Sequence, residues 1–349
     1  MTDLSFQEFN TRFLEKVSSV AGQAELQEAG RQYVKIELLE SAFSRAILPQ
    51  EPITTADCQR NLNDQSLYLL RDVEPTASAV GVDNLGEPDG SYVSGTRYKI
   101  PIINFTTKRF QITIEDLRAY QYKITKRIED KSVPILEKLE DTYFIKLAAA
   151  AITTSTSTAG KIVGEGTGAA TNMALTALDI VKIKNTLMGG VPATTALDTR
   201  KKEVAALLMA QESFEYAVVL PSAGDDFGKD RVLNGITSDT LYGTKVVRSI
   251  KTDLVPQGVI FAFTSPDFLG HNFALGDPSF EIKSNFGLIE WQTKESVGMG
   301  IGNRFSVAAL ILDGVSVKDS GGTARSWKVS TDGTATQYFI DYYKSQLVI

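Results

Sequence analysis

Among the 349 residues there is one cysteine, Cys58, and one histidine, His271. A lone cysteine cannot close an internal disulfide, and without a CxxC pair zinc ribbons and thioredoxin-type redox sites are excluded, which fits folding in a reducing cytosol. A lone histidine excludes multi-histidine metal sites and leaves triad chemistry without support. Positive charge is not in excess either. Lys and Arg number 36 against 42 Asp and Glu, a formal net charge of -6, so no overall basic field draws the chain onto nucleic acid. No run approaches the roughly 20 apolar residues that span a bilayer. The opening MTDLSFQEFN lacks the basic start and apolar stretch of a signal peptide. Secretion and membrane insertion are therefore not expected, and no repeat of fixed period is present.

What is there is ample apolar material, 43% of residues with 9% aromatic, enough for one or two globular units. Phe6, Phe9, Phe13, Leu14 and Val17 recur at helical spacing over 3–18. Tyr33, Ile36, Leu38, Leu39, Ala42 and Phe43 continue the pattern over 26–46, which predicts two amphipathic helices. Pro49, Glu51 and Pro52 end that region, and 67–73 reads as a strand with Leu67, Leu69 and Arg71 on one face. Residues 74–95 are rich in Gly, Pro, Ser, Asp and Asn, the composition of an exposed excursion. Alternating Tyr98, Ile100, Ile102, Phe110, Ile112 and Ile114 then predict strands with one covered face, so that 67–114 forms a long β excursion and its return.

Ser132 is placed to cap a helix with Pro134 in its first turn. Ile135, Leu136, Leu139, Tyr143, Phe144 and Leu147 carry the stripe to Ile152, a helix roughly 30 Å long. A Ser, Thr and Gly-rich stretch around a short strand at 161–163 follows, separating two lobes. Residues 174–188 are helical in spacing and stop at Gly189 and Gly190. Next come a buried strand at 204–209 and a helix at 213–220. From Thr244 onward TKVVRSI, GVIFAFT, FEIKSNF, LIEWQTK and RFSVAALIL are strands bounded by turn residues, and GVSVK, SWKVS and TQYFIDYY add more after Asp313. The class is α+β.

Each motif with a chemical reading has a plainer one. GMGIGN at 298–303 looks like a nucleotide-binding glycine run, yet it precedes an apolar strand instead of opening a helix that could hold phosphate. GEGTGAAT at 164–171 lacks the Lys-Ser/Thr of a phosphate loop. The acidic neighbours Glu129 and Asp130, Glu140 and Asp141, and Asp225 and Asp226 read as solvated faces instead of a glycosidase pair. Cys58 and His271 have no supporting signature for nucleophile and base. Trp291 and Trp327 belong to alternating runs that pack a sheet. The basic group Lys123, Lys126, Arg127 and Lys131 is diluted by acidic neighbours, and Lys99 and Lys108, which could cross-link to a neighbour, read as edge protection. No catalytic, cofactor-binding or metal-ligating residue is assigned, and no cofactor is expected.

Taken together, FQITIEDL, VPILEKLEDTYFIKLAAAAI, AALLMAQESFEYAVVLP, LYGTKVVRSIKTDLVPQGVIFAF and WQTKESVGMGIGNRFSVAALIL resemble, in order and spacing, the major capsid proteins of tailed bacteriophages, whose fold encapsulins share. Gly243 before the paired Val246 and Val247, and the turn at Pro256 to Gly258, are similar to that family's axial domain. The resemblance implies an N-terminal arm at 1–66, an extended β loop at 67–114, a peripheral domain with a spine helix at 115–171 and 296–349, and an axial domain at 172–295. It implies self-assembly into pentamers and hexamers of an icosahedral shell around double-stranded DNA, without sequence-specific binding and without enzymatic activity. The expected place is the virion, after assembly in the host cytoplasm. Expected partners are further copies of the chain, a portal protein, and a separate scaffolding protein and decoration proteins, since 1–66 is shorter than the scaffolding extension fused to some members. An encapsulin-type compartment is the alternative. A β-rich carbohydrate-binding protein would not explain the capped helix after a flexible excursion, and an enzyme would have to rely on Asp, Glu, Lys, Ser or Tyr.

Overall fold

A computed structural model of the chain describes residues 6–61, 64–72, 97–119, 124–153, 162–165, 177–189, 203–218, 240–241, 243–285, 287–303, 305–312, 316–318 and 324–326. The N-terminal apolar spacing forms α1 (Phe6–Ser18) and α2 (Val20–Ser41). The expected second helix breaks at Ala42, whose extended backbone separates the short α3 (Phe43–Ile47). Phe13 and Val17 of α1 pack with Phe280, Ile282, Ile289 and Trp291. Gly30 of α2 lies so close to the Phe280 ring that an added Cβ would stand 2.6 Å from it.

Two sheets carry the rest. An eight-stranded sheet contains β1 (Gln50–Ile53), β2 (Gln59–Asn61), β3 (Asp64–Asp72), β4 (Arg97–Thr106), β5 (Phe110–Thr113), β11 (Gly270–Leu275), β12 (Ser279–Asn285) and β13 (Leu288–Ile301). A six-stranded sheet has the order β6 (Ile162–Glu165), β14 (Val307–Leu312), β10 (Val259–Thr264), β7 (Val204–Ala210), β9 (Thr244–Ser249) and β8 (Thr240–Leu241). A separate hairpin joins β15 (Ser316–Lys318) to β16 (Ala324–Ser326). β10 is buried at every position, as a continuous apolar run covered on both faces should be. The remaining helices are α4 (Ile114–Ala119), α5 (Ile124–Thr153), α6 (Ala177–Gly189), α7 (Gln211–Val218) and α8 (Pro266–Leu269). α6 packs against β14, β10 and β6, while α5 reaches β13, β14 and β4 and so lies against both sheets.

Several expectations are corrected here. Ser132 does not cap α5. The helix begins at Ile124, runs 30 residues or about 45 Å, and holds Ser132 fully buried and Pro134 in its interior. Every fourth residue from there on, Ser132, Leu136, Glu140, Phe144, Ala148 and Ile152, is buried, and this row outweighs the backbone hydrogen bond that Pro134 forfeits. β1 was not expected as a strand. It tolerates Pro52 because β11, its parallel partner, takes one edge and the ladder asks nothing of the other. β11 itself was missed, and Ile114 opens α4 instead of closing a strand. The excursion at 74–95 and TQYFIDYY lie outside the described residues. β13 runs through residues 288–301, and β14 hydrogen-bonds to β10 and β6.

The GMGIGN run ends β13 and extends just beyond it. A Cβ at Gly298, Gly300 or Gly302 would stand 2.5, 2.8 or 2.4 Å from Ile102, Ile100 or Tyr98 respectively, so alternate glycines make room for alternate side chains of β4. Gly300→Ala is expected to cost about 1–3 kcal/mol through forced repacking. The shift of the urea midpoint relative to the unmodified chain measures it.

Candidate functional site

α3 delivers two groups to the buried row of α5. The Ser44 backbone N–H donates to Asp141 Oδ1 at 3.0 Å, and Arg45 Nε donates to both Glu140 carboxylate oxygens at 3.1 and 2.9 Å. Arg45 Nη2 continues to Glu295 Oε1 of β13 at 2.6 Å, where Gln50 Nε2 also donates at 3.4 Å. From the segment after β9, Lys251 Nζ donates to Glu137 and Asp141 and stands 5.4 Å from the centroid of the Phe43 ring. The Arg45, Glu140 and Glu295 side chains are 3%, 1% and 2% exposed. Here the expectation of a solvated Glu140 and Asp141 pair fails. The signal that could have placed Glu140 inside was the every-fourth-residue row shared with Leu136 and Phe144, and for Asp141 the adjacent row of Val133 and Ile145.

Burial pushes the Glu140 carboxyl up to about 7, only partly offset by Arg45, with Glu295 and Asp141 adding to the rise. Burial likewise raises Asp141 against the pull of Lys251 and Ser44. For Arg45 burial acts to lower the pKa, but Glu140 and Glu295 outweigh it and the guanidinium is held more firmly charged. Chemically, each carboxylate of the cluster already faces a cation or donor of this chain. What the arrangement does is fasten α3, α5, β13 and the loop after β9 to one another.

A second feature lies toward one edge of the eight-stranded sheet. β3 and β4 pair antiparallel from Tyr68↔Pro101 to Asp72↔Arg97 as a ribbon. One face, Leu69, Ile100, Tyr98 and Ile102, packs with Phe273, Ile53 and Cys58, and the Arg71 guanidinium lies 4.9 Å from the Phe273 ring centroid. On the other face Lys99 Nζ sits 3.9 Å from the Tyr68 ring centroid. Arg97 grips Asp72 at 2.6 and 3.3 Å, the last described cross-strand pair before residues 73–96.

Other residues singled out from the sequence fall as follows. Cys58 Sγ bonds to the Thr54 carbonyl at 3.6 Å and its thiol pKa is raised by burial and Asp57, while His271 Nδ1 lies 3.3 Å from Glu51 Oε1 and stacks on Phe273. The structure thus gives each its own partners and does not join them. Trp291 is buried and stacks on Phe110 with ring centroids 5.5 Å apart. Lys108 and Lys131 are exposed. Lys123, Asp225, Asp226 and Trp327, the side chains of Lys126, Arg127, Glu129 and Asp130, and 166–171 of the second glycine run lie outside the described set.

No family model and no curated protein matches the chain. Solved structures do. The capsid of cyanophage P-SCSP1u aligns with a TM-score of 0.50 at 13% identity, covering 76% of this chain and 86% of that one. The asymmetric unit of the bacteriophage PhiM1 mature capsid gives 0.51 at 10% identity, covering 78% and 87%. A chain of Microbacterium phage Oxtober96 gives 0.51 at 13% identity, covering 78% and 91%. With so little sequence in common, the likeness lies in the path of the backbone, and this chain has the fold of the tailed-phage major capsid proteins.

Proposed function

We propose that the chain is the major capsid protein of a tailed phage, assembling with copies of itself into the pentamers and hexamers of an icosahedral head around double-stranded DNA. The observation that carries this reading is the shared fold, which spans 86% and 87% of the two phage capsid chains. The described parts suit it. The six-stranded sheet with α6 and α7 serves as the axial domain, the eight-stranded sheet with α5 as the peripheral domain, and α1 to α3 as the N-terminal arm. The β3/β4 ribbon reaches over an adjacent subunit, where strand edges and apolar faces find partners. Each subunit meets several neighbours, so individually weak contacts become effectively intramolecular once a ring has formed. A net charge of -6 keeps the lining from holding DNA by its phosphates. A portal, a separate scaffolding protein and decoration proteins complete the assembly, the virion is its location, and catalysis has no part in it.

The test is assembly itself. The full chain, expressed alone and together with a scaffolding protein from the same genome, is sized by light scattering and imaged in negative stain. Closed shells or five- and six-membered rings are expected, and DNA inside particles from infected cells separates a phage head from a cargo compartment. A chain that stays monomeric under both conditions overturns the proposal.

A further inference from the structure

The buried cluster is unbalanced in charge. Among the described residues two cations, Arg45 and Lys251, face four carboxylates, Glu137, Glu140, Asp141 and Glu295. With all six ionised the closed arrangement keeps two uncompensated negative charges among side chains that are almost wholly out of water, an expensive state in a medium of low polarity. One bound proton halves that excess. The cluster also stands at a joint, since α3 and β1 connect the arm helices to the ribbon and are fastened here by Ser44, Arg45 and Gln50.

We infer that this cluster is a proton-operated latch: a proton held among the four carboxylates keeps residues 43–53 closed against α5 and β13, and its release to solvent frees them. The inference goes beyond the shell reading and does not depend on it. The groups that face Glu140 are Arg45 from α3, Glu137 and Asp141 on α5 itself, and Glu295 from β13, with Gln50 of β1 and Lys251 after β9 completing the ring. Lys245 of β9 also reaches α3, at the Ala46 carbonyl, 3.1 Å away. Elsewhere on β1, Glu51 Oε1 lies 3.3 Å from His271 Nδ1.

The sign follows from which form binds the proton. Glu140, buried, is raised from 4.5 to about 7, so the closed form takes up a proton that the open form gives away. The latch is therefore fully stabilised below the ordinary carboxylate range and weakens as pH rises through about 7. This is opposite to an exposed carboxylate salt bridge, which weakens in acid.

Hydrogen–deuterium exchange of the full-length chain, followed peptide by peptide and corrected for the intrinsic pH dependence of amide exchange, reads the opening directly. Opening of 43–53 is expected to increase about tenfold or more from about pH 5 to about pH 8, while β7 and β10 change little. In Glu140→Gln the increase should shrink severalfold, the Asp141 carboxyl, which burial also raises, being the remaining source within the cluster. Glu295→Gln, which removes a neighbouring negative charge, should move the rise to lower pH. Protection of 43–53 in the unmodified chain that stays constant across this range overturns the latch, whatever the variants do. So does an unchanged slope in both Glu140→Gln and Asp141→Asn, which would place the effect outside the cluster.

Discussion

Arg45→Ala is expected to lower stability by about 3–5 kcal/mol, among the largest effects a single substitution in this chain can have. The loss does not measure the worth of the salt bridges. It measures what happens to Glu140 and Glu295, whose carboxylates, 1% and 2% exposed, would keep their burial and lose their cation. Replacing the three together, Arg45→Met with Glu140→Leu and Glu295→Leu, should recover most of the loss, since apolar groups of similar volume leave no charge orphaned. Urea unfolding followed by circular dichroism compares the two. An Arg45→Ala midpoint indistinguishable from that of the parent would mean that water reaches the cluster.

Phe144→Ala should cost a comparable 3–5 kcal/mol, for a reason of space instead of charge. Phe144 is fully buried at the centre of α5, with its ring edge-on to Phe43 of α3 at 6.4 Å between centroids and tilted on Phe263 of β10 at 5.3 Å. Truncation leaves a cavity bounded by a helix, a strand and the arm segment, three elements that cannot all move inward to fill it. Phe144→Leu fills most of the volume and is expected to lose less than half as much. Thermal melts of the two variants, run alongside the parent, decide the point.

Much of the fold could be read from the residues because local periodicity and burial agree. α1, α6, β7, β9, β10 and β14 lie within a few residues of where apolar spacing puts them, and the low-polarity β10 needed no partner to be recognised. The failures share a cause. Pro134 and Ser132 carry strong local signals for a helix start, but the buried row of α5 depends on sheets brought in from elsewhere, and packing overrode the cap. Glu140 looked like half of a solvated acidic pair because its cation lies 95 residues earlier in sequence, at Arg45. Separation along the sequence likewise hid the purpose of Gly298, Gly300 and Gly302, whose spacing of two has meaning only beside Tyr98, Ile100 and Ile102. β1 and β11 are short and mixed in character, and each is a strand chiefly because β13 orders its neighbours.

β13 also sets a timetable. Along its 14 residues it pairs with β12 and β5 at one end, then β4, then β11 at the other, and β1 joins through β11. As the chain leaves the ribosome, every N-terminal strand that depends on it must wait until Leu288–Ile301 emerges, and Gln27 waits for its Ile282 acceptor 255 residues downstream. A nascent chain therefore has no ordered base for the β3/β4 ribbon until Leu288–Ile301 has been made. If copies join as proposed, neighbouring chains on one messenger would meet as unfinished pieces without the joining surface, and association would be deferred to completed subunits by the order in which the polypeptide is synthesised.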